Sequence, residues 1–116
     1  SDRIRHRRTL FVAAGGEDLR GEDTLAGPAG LTFAIRFHLH PSVAASPIQN
    51  GRAVLLKLPK GGGWRLRCSE PMELADSIYF TASPEPMRTR QVVVAGVTGD
   101  RETTVKWALR RERKRG

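Results

Sequence analysis

The chain has 116 residues, of which 39% are hydrophobic, and a formal net charge of +8 at pH 7. Its length fits one domain with a single core and excludes a second domain of ordinary size. The single cysteine excludes an internal disulfide and a cysteine-only metal cluster, and no apolar run approaches the roughly 18 residues that a membrane span requires.

Most of the positive charge lies at the two ends of the chain. Residues 1–8 have a net charge of +3 and residues 110–116 a net charge of +4, which leaves +1 for the residues between them. We therefore predict a folded domain over residues 1–109 and a basic tail over residues 110–116. We expect the tail to be a frayed solubilising segment that would also bind polyanions without specificity.

Short stretches with the alternation of β-strands follow one another, separated by turn residues. The sequence predicts about eight strands: Arg3–Ala14, Leu19–Leu25, Leu31–His40, Ala53–Leu58, Trp64–Ser69, Met72–Thr81, Arg88–Ala95 and Thr103–Arg110. The segment 41–51 and a loop with Pro84 and Pro86 are predicted as connections. Because several strands have one apolar and one polar face and no segment has a helical period, we predict an all-β fold, an antiparallel β-sandwich.

The third predicted strand contains the most informative polar side chains. Alternation places Phe33, Ile35 and Phe37 on one face, with Arg36, His38 and His40 on the other. Neighbouring imidazole and guanidinium groups are suited to binding a carboxylated or sulfated ligand, transferring a proton or holding a metal. The alternative is the solvated side of an edge strand.

Four further charged residues are candidates for a site. Arg65 and Arg67 alternate with apolar residues, which suits either a groove for a polyanion or an ordinary solvated face. Glu22 and Asp23 are candidates to orient an imidazole, the alternative being a charged turn or a local ion pair.

Cys68 and Tyr79 are expected to have structural roles. Cys68 lies in an apolar strand pattern, which favours an inert packed thiol. The apolar neighbours of Tyr79 favour a core or rim aromatic over a catalytic phenol.

Two blocks of sequence resemble a known family. Residues 19–25 read LRGEDTL and residues 36–41 read RFHLHP; with residues 6–10, 53–59, 63–67 and 103–107 they resemble the C-terminal β-sandwich region of bacterial heparinase II/III-like proteins. The resemblance implies a parent that joins an N-terminal α/α-toroid domain to this sandwich. It also implies a polysaccharide lyase that cleaves a uronate-containing polysaccharide, such as a glycosaminoglycan, by β-elimination in the cleft between the two domains.

The resemblance also implies roles for the candidate residues. His38 would act near the catalytic centre, Arg36 would neutralise a carboxylate or sulfate, and His40 corresponds to a histidine that ligates a structural zinc in some members. The chemistry of the residues, apart from the resemblance, makes Arg65 and Arg67 candidates for substrate binding, and Glu22 and Asp23 candidates to orient an imidazole or complete a polar cluster. No cofactor is required for the reaction itself.

Two other functions stay open at this point. The first is a non-catalytic carbohydrate-binding or domain-packing sandwich, and the second is a basic nucleic-acid-binding module, against which the scarcity of aromatic residues near the tail counts. The chain begins at Ser1-Asp2 with a strand already in progress, so we expect a piece of a longer protein that is inactive without the toroid domain. We expect no membrane partner. A face left open by the absent domain would permit a homodimer. The periplasm is one option for the parent's compartment.

Overall fold

The computed structural model describes residues 3–79 and 87–112. The predicted loop with Pro84 and Pro86, the side chain of Tyr79 and residues 113–116 of the basic tail lie outside the described part. No helix in that part is long and apolar enough to cross a membrane. The described residues form nine strands: β1 (Arg5–Val12), β2 (Asp18–Ala26), β3 (Thr32–His38), β4 (Ala44–Ile48), β5 (Ala53–Lys57), β6 (Gly63–Cys68), β7 (Glu73–Tyr79), β8 (Met87–Val97) and β9 (Thr103–Glu112).

The strands form two antiparallel sheets. The larger sheet has six strands in the order β1-β2-β9-β6-β5-β4, and the smaller has three in the order β3-β8-β7. The two sheets pack face to face, which confirms the predicted all-β antiparallel sandwich.

The core lies between the inner sides of the two sheets, meaning the sides that face each other. Val54 and Val105 of the larger sheet and Val92 and Val94 of the smaller sheet are buried there. Ile35 is buried too, whereas Arg36 and His38 are exposed, so the predicted alternation of the third strand is confirmed.

Two features of the strands differ from the prediction. β4 lies in the segment 41–51, which we predicted as a connection. Its residues 44–48 read AASPI, and the proline made a turn the expected structure there. β4 is the last strand of the larger sheet, where proline is tolerated. β9 continues to Glu112, past the predicted start of the tail at Arg110, because Arg110 and Glu112 lie opposite Arg65 and Gly63 of β6.

The hairpin between β1 and β2 fixes the register on which the site depends. Its turn is closed by the Ala13 amide, which donates to the Asp18 carbonyl at 3.0 Å. Gly15 and Gly16 have φ angles of 92° and 68°, a region that glycine adopts without strain. This turn places Arg8 opposite Asp23 across the two strands.

Candidate functional site

A buried carboxylate lies at the centre of the most highly organised polar cluster in the described residues. Asp23 is on the inner side of β2 and is 0% exposed, so it requires donors to replace water. Arg8 Nε donates to Oδ1 at 2.7 Å and Arg8 Nη2 to Oδ2 at 3.2 Å. His6 Nε2 lies 2.7 Å from Oδ1, and Trp107 Nε1 donates to Oδ2 at 2.9 Å. We call these four residues the His6 edge.

Three neighbouring strands bring the His6 edge together. On β1, His6 and Arg8 share one side because they are two residues apart. Trp107 lies on β9 opposite Gly21 of β2. A Cβ atom at Gly21 would overlap the indole, so the absence of a side chain there lets Trp107 lie across β2 and reach Asp23.

The smaller sheet contributes an aromatic wall. The ring of Phe37 on β3 meets the Trp107 ring edge to face, with centroids 5.1 Å apart and planes at 76°. The Arg8 guanidinium carbon is 5.2 Å from the Phe37 centroid and 5.5 Å from that of Trp107. Cation–π attraction therefore adds to the two hydrogen bonds that hold Arg8.

Asp23 is a carboxylate in this cluster. Burial alone would raise the pKa of Asp23, but hydrogen bonds from Arg8, His6 and Trp107, together with the charge of Arg8, hold that pKa below its ordinary value of 3.8. A carboxylate only accepts hydrogen bonds, so the Nε2 atom of His6 must carry the proton. In the neutral ring, Nδ1 is then the atom with a free lone pair.

Two of the three donors to Asp23, His6 and Arg8, lie at the rim of the sandwich. The side chains of His6 and Arg8 are 43% and 37% exposed. With Ile4, Thr32 and Phe33, among others, His6 lines a groove of about 560 Å³. The arrangement thus offers an imidazole of fixed tautomer beside a guanidinium, which is suited to proton transfer and to binding an anion.

The residues predicted from the third strand lie elsewhere. Arg36 and His38 are exposed on the outer side of β3, the side of that strand away from the core. His40 follows the strand, and its Nδ1 atom is 2.7 Å from the hydroxyl oxygen of Ser42. Asp23, which we predicted as a residue that orients an imidazole, does so for His6.

The other predicted charged residues lie on the outer side of the larger sheet. Arg65 and Arg67 occupy the outer side of β6, and Arg65 forms an ion pair with Glu112. Glu22 points to the opposite side of β2 from Asp23, and its carboxylate is 3.9 Å from Lys106 Nζ. Arg36 is therefore separated from Arg65 and Arg67 by the whole sandwich, and the three do not form one binding site within this domain.

In residues 3–79 and 87–112, no group of three or more His, Cys, Asp or Glu side chains is arranged to hold a metal ion, so the zinc at His40 stays a prediction. Cys68 is buried in the core, and that burial raises the pKa of its thiol, which confirms the predicted packing role.

His6, Arg8 and Trp107 were not predicted as site residues. His6 and Arg8 could have been found from alternation. Both lie on the same side of β1 as Ile4 and Leu10, where apolar residues are expected. For Trp107 the sequence contains no comparable signal, because its approach to Asp23 depends on the β2–β9 register.

Comparison with known proteins identifies the family. The family model described as "Heparinase II/III-like, C-terminal" matches residues 1–108. The chain belongs to this family. The resemblance seen in the sequence is thereby confirmed, and this heparinase II/III-like domain is related to polysaccharide lyases.

Two longer proteins are similar to the domain. FtsZ-localized protein C of Caulobacter vibrioides (strain NA1000 / CB15N) is 34% identical over 118 residues, which cover 91% of this chain and 20% of that protein. The crystal structure of heparan sulfate lyase HepC from Pedobacter heparinus matches with a TM-score of 0.80 at 8% identity, over 100% of this chain and 19% of that one. The second similarity shows the fold alone. The heparinase II/III-like domain thus spans about a fifth of the length of each relative.

Proposed function

We propose that this domain forms one wall of a cleft that binds a uronate-containing acidic polysaccharide in a longer, lyase-related protein, and that the His6 edge belongs to this wall. The observation that carries the proposal is the buried Asp23 carboxylate, whose three donors include two half-exposed side chains. A fixed imidazole beside a fixed guanidinium is suited to recognising a uronate.

Arg8 is the anion-binding group of this proposal. Two of its five N–H donors serve Asp23, and the remaining donors are available to a sugar carboxylate or sulfate. Because Asp23 and the two aromatic rings hold the guanidinium in place, little side-chain entropy remains to be lost when it binds.

His6 is the proton-transfer group. In β-elimination a base takes the proton from C5 of the uronate, the electron pair forms the C4–C5 double bond, and the C4–oxygen bond breaks as the leaving oxygen gains a proton. The Nδ1 atom of His6 is suited to the first step, and Asp23 would stabilise the imidazolium that forms. Residues from the rest of the protein would complete the cleft.

A non-catalytic role is the second candidate function. The relative that is 34% identical, FtsZ-localized protein C, is named for its localisation with FtsZ and not for a lyase activity. In that case the sandwich would bind a polysaccharide or brace a neighbouring domain without elimination. Release of an unsaturated product by the full-length protein would exclude this candidate, and polysaccharide binding without product would support it.

Calorimetry on matched histidine variants tests the proposal. Oligogalacturonate is titrated into the wild-type domain, His6→Gln and His38→Gln at low and at near-physiological salt. We expect His6→Gln to weaken binding by up to about tenfold, since Nδ1 of His6 would accept a hydrogen bond from a sugar hydroxyl and such a bond contributes about 0.5–1.5 kcal/mol. His38→Gln should bind as the wild type does.

The same titrations give the contradicting results. Weakening by His38→Gln alone would move the site to the Arg36–His38 face, in agreement with the role predicted from the sequence. No effect of either variant would exclude both surfaces.

A further inference from the structure

We propose that the outer side of the larger sheet contains a second, separate groove that binds an anionic polysaccharide through arginines of β2, β6 and β9. We call it the outer groove. It goes beyond the proposed function, because it lies on the opposite side of β2 from Asp23 and requires no reaction at His6.

Strand register places the arginines around a small residue. Arg20 of β2 and Arg67 of β6 both lie opposite Ala108 of β9, so they flank it at a Cα separation of roughly 10 Å, since strands are about 4.8 Å apart. Two residues along β9, Arg110 lies opposite Arg65. The small side chain of Ala108 leaves a depression between the longer arginine side chains, and the resulting groove has a volume of about 690 Å³.

The outer groove has an excess of positive charge. Five arginines and three acidic residues line it, which gives a net charge of +2. Asp18 is shared between Arg20 at 3.5 Å and Arg110 at 3.7 Å, and no described side chain pairs with Arg67. These ion pairs are long and the side chains of Arg20 and Arg110 are exposed, so both guanidinium groups keep donors for the anionic groups of a ligand.

A single exposed aromatic residue beside the groove points to a sugar as the ligand. Phe11 is 52% exposed, lies opposite Arg20 across β1 and β2, and lines the adjoining pocket with Arg20, Arg67 and Ala108. One aromatic face beside guanidinium groups can cover the apolar face of a sugar ring whose anionic groups bind the arginines. Binding sites for single-stranded nucleic acid generally present several aromatic rings, on which successive bases stack. Among the described residues, Phe11 alone is an aromatic residue classed as exposed.

Two charge-matched double variants test the outer groove. Arg20→Gln/Arg67→Gln removes two charges from the groove, whereas Arg88→Gln/Arg90→Gln removes two exposed charges from β8 of the smaller sheet. Each is titrated with a heparin hexasaccharide, an oligogalacturonate of equal length and a single-stranded DNA of equal charge. The ligands are followed by calorimetry at near-physiological salt and by backbone-amide and histidine-ring NMR.

The proposal predicts saturable amide shifts at Arg67 and Ala108 with one or both saccharides. Arg20→Gln/Arg67→Gln should weaken this binding at least about tenfold, and Arg88→Gln/Arg90→Gln should change it less than twofold. Tighter binding of the sulfated hexasaccharide would identify sulfate as the preferred group, and equal binding of both would identify carboxylate as sufficient.

Other results would overturn the proposal. Equal weakening by the two double variants would show general attraction to a positive protein, and DNA binding as tight as saccharide binding would show that the groove is not selective for a polysaccharide. A saturable shift of the His6 ring without saturable amide shifts at Arg67 and Ala108 would leave the proposed function intact while the outer groove fails. Saturable shifts at Arg67 and Ala108 without a His6 response would do the reverse.

Discussion

Two regions of the domain present an imidazole next to a guanidinium, but only one of them holds the pair in a fixed position. On the outer side of β3, Arg36 and His38 are exposed, and no described side chain pairs with either. On β1, His6 and Arg8 both bond to buried Asp23. Side chains that must satisfy a buried carboxylate lose their rotamer freedom on folding, whereas those on a wet face keep it. A buried hydrogen-bond partner is therefore a better indicator of a preorganised site than the proximity of two side chains on one strand.

Asp23→Ala should remove this difference between the regions and have the largest effect. It leaves the indole N–H of Trp107 without its acceptor and Arg8 without its counter-charge. We expect a loss of about 2–3 kcal/mol in the free energy of unfolding, measured in urea. His38→Ala on the exposed face is the control and should change stability by less than about 0.5 kcal/mol. Equal stability of Asp23→Ala and the wild type would contradict the account.

Gly21→Ala should disturb the His6 edge without removing a polar group. The added methyl group overlaps the Trp107 ring, and such overpacking costs about 1–3 kcal/mol. The indole N–H resonance of Trp107 should lose the shift that its bond to Asp23 produces. Gly99→Ala is a suitable control, because nothing lies within 4 Å of its added Cβ. An unchanged indole resonance in Gly21→Ala would show that Trp107 does not need this gap.

Low pH should weaken the His6 edge in a defined direction. The pKa of Asp23 is lower in the folded domain than its ordinary value of 3.8, so the stability that its charge contributes is present above that value. This contribution is lost as the pH falls below 3.8 and through the native pKa. The difference in unfolding free energy between the wild type and Asp23→Asn should therefore shrink between pH 5 and low pH. A constant difference would mean that the charge of Asp23 does not stabilise the fold.

The labelling rate of Cys68 should show the smallest effect, which is a change in how often the larger sheet opens locally next to the His6 edge. Cys68 lies opposite Trp107 across β6 and β9, and burial raises the pKa of its thiol. In the native wild type the thiol should react with a disulfide reagent only as fast as the sheet opens. Asp23→Ala should speed this reaction and His38→Ala should not. Rapid labelling of the wild type would contradict a closed interior.

Much of the fold was predictable because alternation and turn residues are local signals. The outward direction of Arg36 and His38 follows from alternation and is confirmed. β4 was missed because its proline is typical of a turn, although the strand forms a hairpin with β5 across the short turn Gln49–Gly51.

The site was only partly predictable, for a physical reason. Counting back from the Gly15-Gly16 turn places Arg8 opposite Asp23, so this pair was within reach of the sequence. The approach of Trp107 was not, because it depends on the pairing of β2 with a strand more than 80 residues away along the chain. Polar residues on an apolar strand side were thus the local signal for His6 and Arg8, whereas the position of Trp107 depends on strand pairing in the folded domain.

The most direct test of the account follows the ring nitrogens of all three histidines by NMR while oligogalacturonate is added. The account predicts that the Nε2 atom of His6 carries the proton before addition, and that the His6 resonances shift saturably while those of His38 and His40 stay in place. A His6 ring protonated on Nδ1 alone, or saturable shifts confined to His38 and His40, would contradict it.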